Sequence, residues 1–249
     1  MTLLDQSLCM MGGISPEAEC RLHRQGILTC RQLACEAEKV MSKSHAARVR
    51  NTFAEWEVVR STGSFDWIIN HLPAGHRVRA LKDCWNDAVF YDIETDGTLS
   101  ASCITCISTL RNGNLRTFWR DNNLPEFLSE WTKAKILISF NGKRFDTPIV
   151  CKAFGLTSIP AQIDLMDEAA HFGYRGGLKA IERQIGFMRK EANCANGLDA
   201  VSLWNEYKKN KSVDILKILQ GYNQEDVLSL EFLARHLMRL SLENIIILK

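Results

Sequence analysis

The chain has 249 residues, 46% of them hydrophobic and 24% charged, with a formal net charge of +2. That composition sits at the globular average and excludes a disordered chain, and no stretch approaches the roughly 18 apolar residues of a membrane span. Near-neutrality neither demands nor excludes a polyanionic partner, so the local distribution of charge decides. Nine cysteines is an odd count, and Met1-Thr2-Leu3-Leu4-Asp5 lacks the basic start of a signal peptide. Together these predict free thiols in a reducing, cytoplasmic setting and not a disulfide framework.

Residues 1–60 read as helical. Ser15-Pro16 has the form of an N-cap followed by proline at the first helical position. Gly26 suits the end of that helix, and Thr29-Cys30-Arg31-Gln32 fits a capping box for the next. Ser44 is placed to cap a third helix running through Ala46, Val49, Phe53, Trp56 and Val59. Helix, Gly26-Ile27, helix resembles half of a helix-hairpin-helix DNA-binding element, although ordinary packing of two short helices writes the same pattern. Between Ser61 and Asp87, turn formers such as Thr62-Gly63-Ser64 and Leu72-Pro73-Ala74-Gly75 predict irregular chain and a domain boundary. This divides a small helical module at 1–80 from a larger domain at 81–249.

From residue 88 the expected order is strand 88–95, strand 101–110, strand 115–119, a helix near 124–134 and strand 136–140. Helices are expected at 146–155, 165–172, 177–185, 198–209 and 213–240. Asp96-Gly97 and Asn112-Gly113 read as hairpin turns. Antiparallel strands, a helix, a further strand and then helices predict an α/β domain built on a mixed sheet with flanking helices.

On the strand 88–95, Ala88, Phe90, Asp92 and Glu94 share one face and Val89, Tyr91 and Ile93 the other. Two strand steps place the carboxylates roughly 7 Å apart. Two acids on one face of an otherwise apolar strand need compensation, because buried unpaired carboxylates are costly. A divalent cation supplies it, and hard carboxylate oxygens suit Mg²⁺ or Mn²⁺. A strand end fraying into a polar turn is the plainer reading of the same residues. Further on, Ser139-Phe140-Asn141-Gly142-Lys143-Arg144-Phe145-Asp146-Thr147-Pro148 leaves a strand, turns at Asn141-Gly142 and enters a helix, where Asp146 reads on local grounds as an N-cap. In Gly221-Tyr222-Asn223-Gln224-Glu225-Asp226, Tyr222 and Asp226 stand one helical turn apart on one face, about 6 Å from each other.

Asp-x-Glu on a strand, Asn-x-x-x-Phe-Asp after a later strand and Tyr-x-x-x-Asp on the last long helix occur in that order. The ordered set resembles the DEDD exonuclease superfamily, in its tyrosine-containing subgroup, on a ribonuclease H-like fold. Gly176-Gly177-Leu178-Lys179-Ala180-Ile181-Glu182-Arg183, Arg189, Gly197 and Ala200-Val201-Ser202-Leu203-Trp204 resemble a bacterial and archaeal branch of ribonuclease H-like exonucleases. The resemblance implies that Asp92, Glu94, Asp146 and Asp226 hold two divalent ions, Mg²⁺ or Mn²⁺, with Tyr222 orienting the attacking water. It also implies hydrolysis from a 3′ end with release of 5′-mononucleotides. The implied substrate is nucleic acid, DNA ahead of RNA, single-stranded or at a 3′ end, with no membrane partner. A structure-selective endonuclease or an RNA exonuclease on the same site, and a nucleic-acid-binding module without catalysis, stay open beside it.

Asp164 is a further acid near a strand end, expected behind the ligands or as an N-cap. Asn141, Lys143, Arg144, Lys179, Arg183 and Arg189 are the expected substrate contacts, since Glu182 is the sole acid among the basic residues from Arg175 to Lys190. Phe140, Phe145 and Tyr174 are large enough to stack on bases, though Phe140 and Phe145 suit a core better. Cys103-Ile104-Thr105-Cys106 is not read as a metal site, because positions three apart on a strand face opposite sides.

Overall fold

The structure is a computed structural model that describes residues 2–98, 100–190, 200–243 and 245. The chain forms two compact units, one of Met1–Trp85 with Leu237–Lys249 and the other of Asn86–His236.

In the first unit, α1 (Pro16–Arg24) begins as expected, with Ser15 Oγ accepting from Ala18 N. The helix α2 (Cys30–Val40) carries the full capping box between Thr29 and Gln32. The third helix, α3 (Lys43–Thr62), is capped by Ser42 and not by Ser44. Ser42 keeps the extended backbone of an N-cap while its Oγ accepts from His45 N at 3.4 Å. The stretch after Ser61, expected to be irregular, is largely helical: α4 spans Phe65–His71, α5 spans Leu81–Cys84, and short 3-10 turns occupy Arg77–Ala80 and Trp85–Asp87. Gly63 ends α3 in the left-handed region, and Pro73 to Gly75 make a single turn. Between those two stops Ile68, Ile69 and Leu72 are buried, so apolar burial outweighs the local turn formers.

The core of this unit contains a buried polar knot. Arg79 is 1% exposed and Glu19 is 0% exposed, with Arg79 Nη1 donating to Glu19 Oε2 at 2.7 Å. Arg79 also donates to Ser241 Oγ at 2.8 Å and Ser241 O at 2.8 Å, while Glu19 Oε1 accepts from Cys9 N at 3.0 Å. Burial, followed by the charge of Glu19, pushes the Cys9 thiol well up, so it stays protonated within the knot.

The second unit is organised on a five-stranded sheet in the order β3-β2-β1-β4-β5. Its strands are β1 (Ala88–Thr95), β2 (Ile104–Arg111), β3 (Asn114–Trp119), β4 (Ile136–Ser139) and β5 (Ala161–Asp164). β1 pairs antiparallel with β2 and parallel with β4, β2 pairs antiparallel with β3, and β4 pairs parallel with β5. The expected mixed sheet is therefore present. Asn112-Gly113 closes β2 to β3 with both residues at positive φ, 51° and 74°, as a two-residue hairpin of matching twist requires. Asp96-Gly97 does not close such a hairpin. The register shifts between Glu94 and Thr95, and Asp96 N bonds Cys103 O at 2.9 Å across a longer loop. Asp96 instead accepts from Thr98 N at 3.0 Å and from Arg120 Nη1 at 2.9 Å, which uses up its turn-forming side chain.

Helices cover both faces of the sheet: α6 (Phe127–Lys133), α7 (Asp146–Phe154), α8 (Leu165–His171), α9 (Leu178–Ile185), α10 (Ala200–Asn210) and α11 (Val213–Leu242). Val89, Tyr91, Ile93, Ile107 and Phe118 form one apolar face packed with Phe127, Trp131 and Val150 of α6 and α7. Cys106 on the opposite face packs with Leu203 and Trp204 of α10 and with Ile215 and Leu219 of α11. Asp92 and Glu94 lie on that second face. No helix among the described residues is long and apolar enough to cross a membrane, and the described cysteines are free thiols.

Candidate metal centre

Strand alternation turns Asp92 and Glu94 toward α11, and the helical repeat turns Asp226 back toward them. Each offers a carboxylate oxygen, and these three atoms lie within 4.8 Å of one another. Asp92 and Asp226 are half-buried.

Asp146 approaches from the other layer and stands outside this ring of three. It is not the N-cap read from the sequence. Phe145 holds that position, and Asp146 is the first helical residue of α7. Its side chain is 4% exposed and Oδ1 accepts from Ile93 N at 3.2 Å, which ties the acid to the strand between Asp92 and Glu94. The start of α7 is fixed by Tyr91, whose hydroxyl lies 2.7 Å from Thr147 Oγ1. The turn before it is fixed by Asp164, which accepts from Asn141 N at 2.7 Å, Lys143 N at 3.2 Å and Met166 N at 3.1 Å. Asp164 is thus both the N-cap of α8 and a clamp on the turn that delivers Asp146.

Gly142 sits at the closest approach in that turn. A Cβ there would meet Ser139 Oγ at 2.1 Å and Ser139 Cβ at 2.5 Å. Gly142→Ala should therefore destabilise the protein by about 1–3 kcal/mol through overpacking, read as a lower denaturant midpoint. Adding Ser139→Gly removes both clashing atoms and should restore most of the loss. Failure of the second change to restore stability would mean that the crowding lies elsewhere.

The electrostatics of the centre show a shortage of positive charge. Burial first, then Asp226, Asp146 and Glu94, hold the Asp92 carboxyl well above the usual range, against one bond from Asn223 Nδ2 at 2.7 Å. Burial pushes Asp146 up to about 7, opposed by the Ile93 amide and reinforced by Asp164 and Asp226. Asp226 is raised by burial even though Arg189 pulls it down. Clustered oxygens that resist ionisation fit hard divalent cations, which relieve all three at once.

The basic side chains divide into two groups. Arg189 Nη2 contacts Asp226 Oδ1 and donates to Glu182 Oε1 at 2.6 Å, with Nε to Glu182 Oε2 at 2.8 Å. Its own pKa is raised, because the bonds to Glu182 and Asp226 outweigh its burial. Lys179 Nζ contacts the Tyr222 hydroxyl and lies 4.1 Å from the centre of that ring. By contrast Lys143, Arg144 and Arg183 are exposed, Arg144 being paired with Asp167 at 3.0 Å. Asn141 adopts a positive φ of 60° at the turn. Phe145 is 49% exposed, so it is not the core residue expected. Gly197 lies outside the described residues.

Sequence reasoning missed Asn223, which is 0% exposed and bonded to Asp92. Its signal was a polar residue interrupting the apolar stripe Leu219, Val227, Leu230 of α11 at helical spacing. The Glu182–Arg189–Asp226 chain had no signal, since its members meet only in three dimensions.

A sequence model of the RNase H superfamily matches residues 89–238. No curated protein sequence matches the chain. Among solved structures, the family B DNA polymerase from the hyperthermophilic archaeon Pyrobaculum calidifontis is similar with a TM-score of 0.48 at 16% identity. That similarity covers 61% of this chain and 24% of the polymerase, about a quarter of its length.

Proposed function

The chain belongs to the RNase H superfamily, and on that premise we propose that it is a two-metal-dependent 3′–5′ exonuclease that acts on DNA and releases 5′-mononucleotides. The observation that carries this reading is the ring of Asp92, Glu94 and Asp226 oxygens within 4.8 Å, with Asp146 tied to the same strand. In this reading the chemistry belongs to residues 81–249, and Asp92, Glu94, Asp146 and Asp226 hold two Mg²⁺ or Mn²⁺ ions. When bound, such ions activate water and neutralise charge on both sides of the phosphorus.

The chain's own groups do the positioning. Tyr222 stands one turn before Asp226, on the same face of α11, and its hydroxyl orients the attacking water. Lys179 holds that phenol by its contact with the hydroxyl. Asn223 fixes the orientation of Asp92, and Glu182 acting through Arg189 fixes Asp226. In this reading Lys143, exposed on the turn before Asp146, meets a phosphate of the bound strand, together with Asn141, Arg144 and Arg183.

End-labelled DNA and RNA oligonucleotides with Mg²⁺ or Mn²⁺, and EDTA as control, test the reading. A ladder shrinking from the 3′ end supports it. Discrete internal cuts would make the protein an endonuclease, preferential loss of RNA would change the substrate, and no product would make it a binding module.

Tyr222→Phe separates orientation from metal holding. It deletes one hydroxyl and keeps the ring that packs under Lys179. Single-turnover cleavage should fall about 10²–10³-fold, with the loss in kcat more than in KM. Mn²⁺ binding by calorimetry should be unchanged, because no carboxylate is lost. An unchanged rate would leave Tyr222 a packing residue.

A further inference from the structure

The wall formed by the end of β3, α10 and the start of α11 encloses a cavity of about 340 Å³. Trp119, Trp204 and Tyr207 line it together with Arg120, Lys208 and Lys211. Three aromatic side chains and three cations line one hollow; Arg120 is paired with Asp96 at 2.9 Å, and Asp121 is the single acid among the lining residues.

The rings and charges are already arranged against one another. Trp204 and Tyr207 have centroids 5.4 Å apart, Arg120 lies 5.2 Å from the Trp204 ring, and Lys211 lies 5.1 Å from that of Tyr207. Lys208 and Lys211 are exposed. Trp204 is 3% exposed, and its indole Nε1 has no hydrogen-bond partner among the described residues. Nη2 of Arg120 is likewise a buried donor with no acceptor among them.

Register places the cavity beside the carboxylates. Cys106 pairs with Glu94 on one side and with Trp119 on the other, so all three share a face of the sheet. Two strand spacings put the Trp119 Cα about 10 Å from that of Glu94. The hollow therefore lies within reach of a strand bound at the acids.

We infer that the cavity binds a single-stranded nucleic acid next to the scissile bond, a base against its aromatic wall and phosphates against Lys208 and Lys211. The inference deepens the nuclease reading and takes the nature of the ligand from it. Aromatic platforms bordered by cations hold single strands without reading their sequence.

The test uses the full chain in EDTA, with the fluorescence anisotropy of labelled DNA and RNA of one sequence, as a dinucleotide and at about ten nucleotides. Tyr207→Leu should weaken binding of the longer strand about tenfold, more than that of the dinucleotide, with an unchanged salt slope. Lys208→Ala with Lys211→Ala should instead flatten the slope of log affinity against log salt by about 1.4. Because both lysines are exposed, that pair keeps the test decisive should Tyr207→Leu unfold, which a thermal melt detects. Variants that match wild type in affinity and salt slope would overturn the site. Wild-type cleavage in Mg²⁺ alongside such unaltered binding would reject the site and keep the nuclease. Cavity-dependent binding without any cleavage would keep the site and reject the nuclease.

Discussion

Asp92→Asn should reduce single-turnover cleavage by more than about 10³-fold, or about 4 kcal/mol of transition-state stabilisation, and Asp226→Asn should do the same. Both acids belong to the ring whose oxygens lie within 4.8 Å, so each change removes a charged oxygen at constant volume. The amide that replaces the Asp92 carboxylate still offers Asn223 an oxygen to bond, so the local packing has no reason to change. The fold should even gain a little stability without metal, since Asp92 is disfavoured as an anion by burial and by three neighbouring acids. Mn²⁺ supplies a second readout. Bound to the folded chain alone, it raises the melting temperature of wild type, and in either variant that rise should shrink. The double variant should be no slower than each single one, because groups acting as one unit are not additive. Near-wild-type cleavage by Asp92→Asn with Mg²⁺ would place the chemistry elsewhere.

The second large effect concerns the other compact unit. Arg79→Met should destabilise the unit of Met1–Trp85 and Leu237–Lys249 by about 3–5 kcal/mol, read from denaturant unfolding of the full chain. The change leaves Glu19, 0% exposed, as a buried carboxylate whose cationic partner is gone. It also removes the bonds from Arg79 Nε and Nη2 to Ser241 Oγ and O, at 2.8 Å each, while Oγ keeps its contact with His76 Nδ1 at 2.7 Å. Glu19→Gln in the same chain removes the uncompensated charge and should recover part of the loss, giving a coupling that sums of single effects miss. A fall below about 1 kcal/mol for Arg79→Met would mean that the knot is hydrated and relaxes.

The sheet, and the strand face that Asp92 and Glu94 share, were legible because they rest on local rules. The strand at 88–95 was bounded by an apolar run and a turn, and β1 spans Ala88–Thr95. Asn112-Gly113 specified a hairpin whose two positive φ values only such residues take easily. Where the reading failed, a tertiary contact overrode a local signal. Thr62-Gly63-Ser64 and Pro73 to Gly75 read as loop, yet buried Ile68 and Ile69 draw the chain between them into α4. Asp96-Gly97 read as a two-residue hairpin, but a register shift at Glu94 and a bond from Arg120 spend Asp96 on a longer loop. Asp146 read as an N-cap on local grounds, and the resemblance alone pointed to the centre. Its capping capacity is spent on the Ile93 amide instead. The pairing of Arg189 with Glu182 and Asp226 was out of reach for another reason, since these acids are remote in sequence and meet it only in the folded chain.

The strict alternation along β1 sets how this protein can tolerate insertions and deletions over evolution. One residue gained or lost between Ala88 and Ile93 would exchange the two faces. Tyr91 and Ile93 would then turn toward α11, and carboxylates would enter the apolar layer around Phe127 and Trp131. No compensating substitution at a single site repairs that exchange, so length changes there are closed to a lineage that keeps the activity. Past the register shift at Thr95 the constraint lapses, because the chain there leaves the regular pairing of β1 with β2. Length variation should therefore gather in residues 96–103, a few positions from a strand in which it is forbidden.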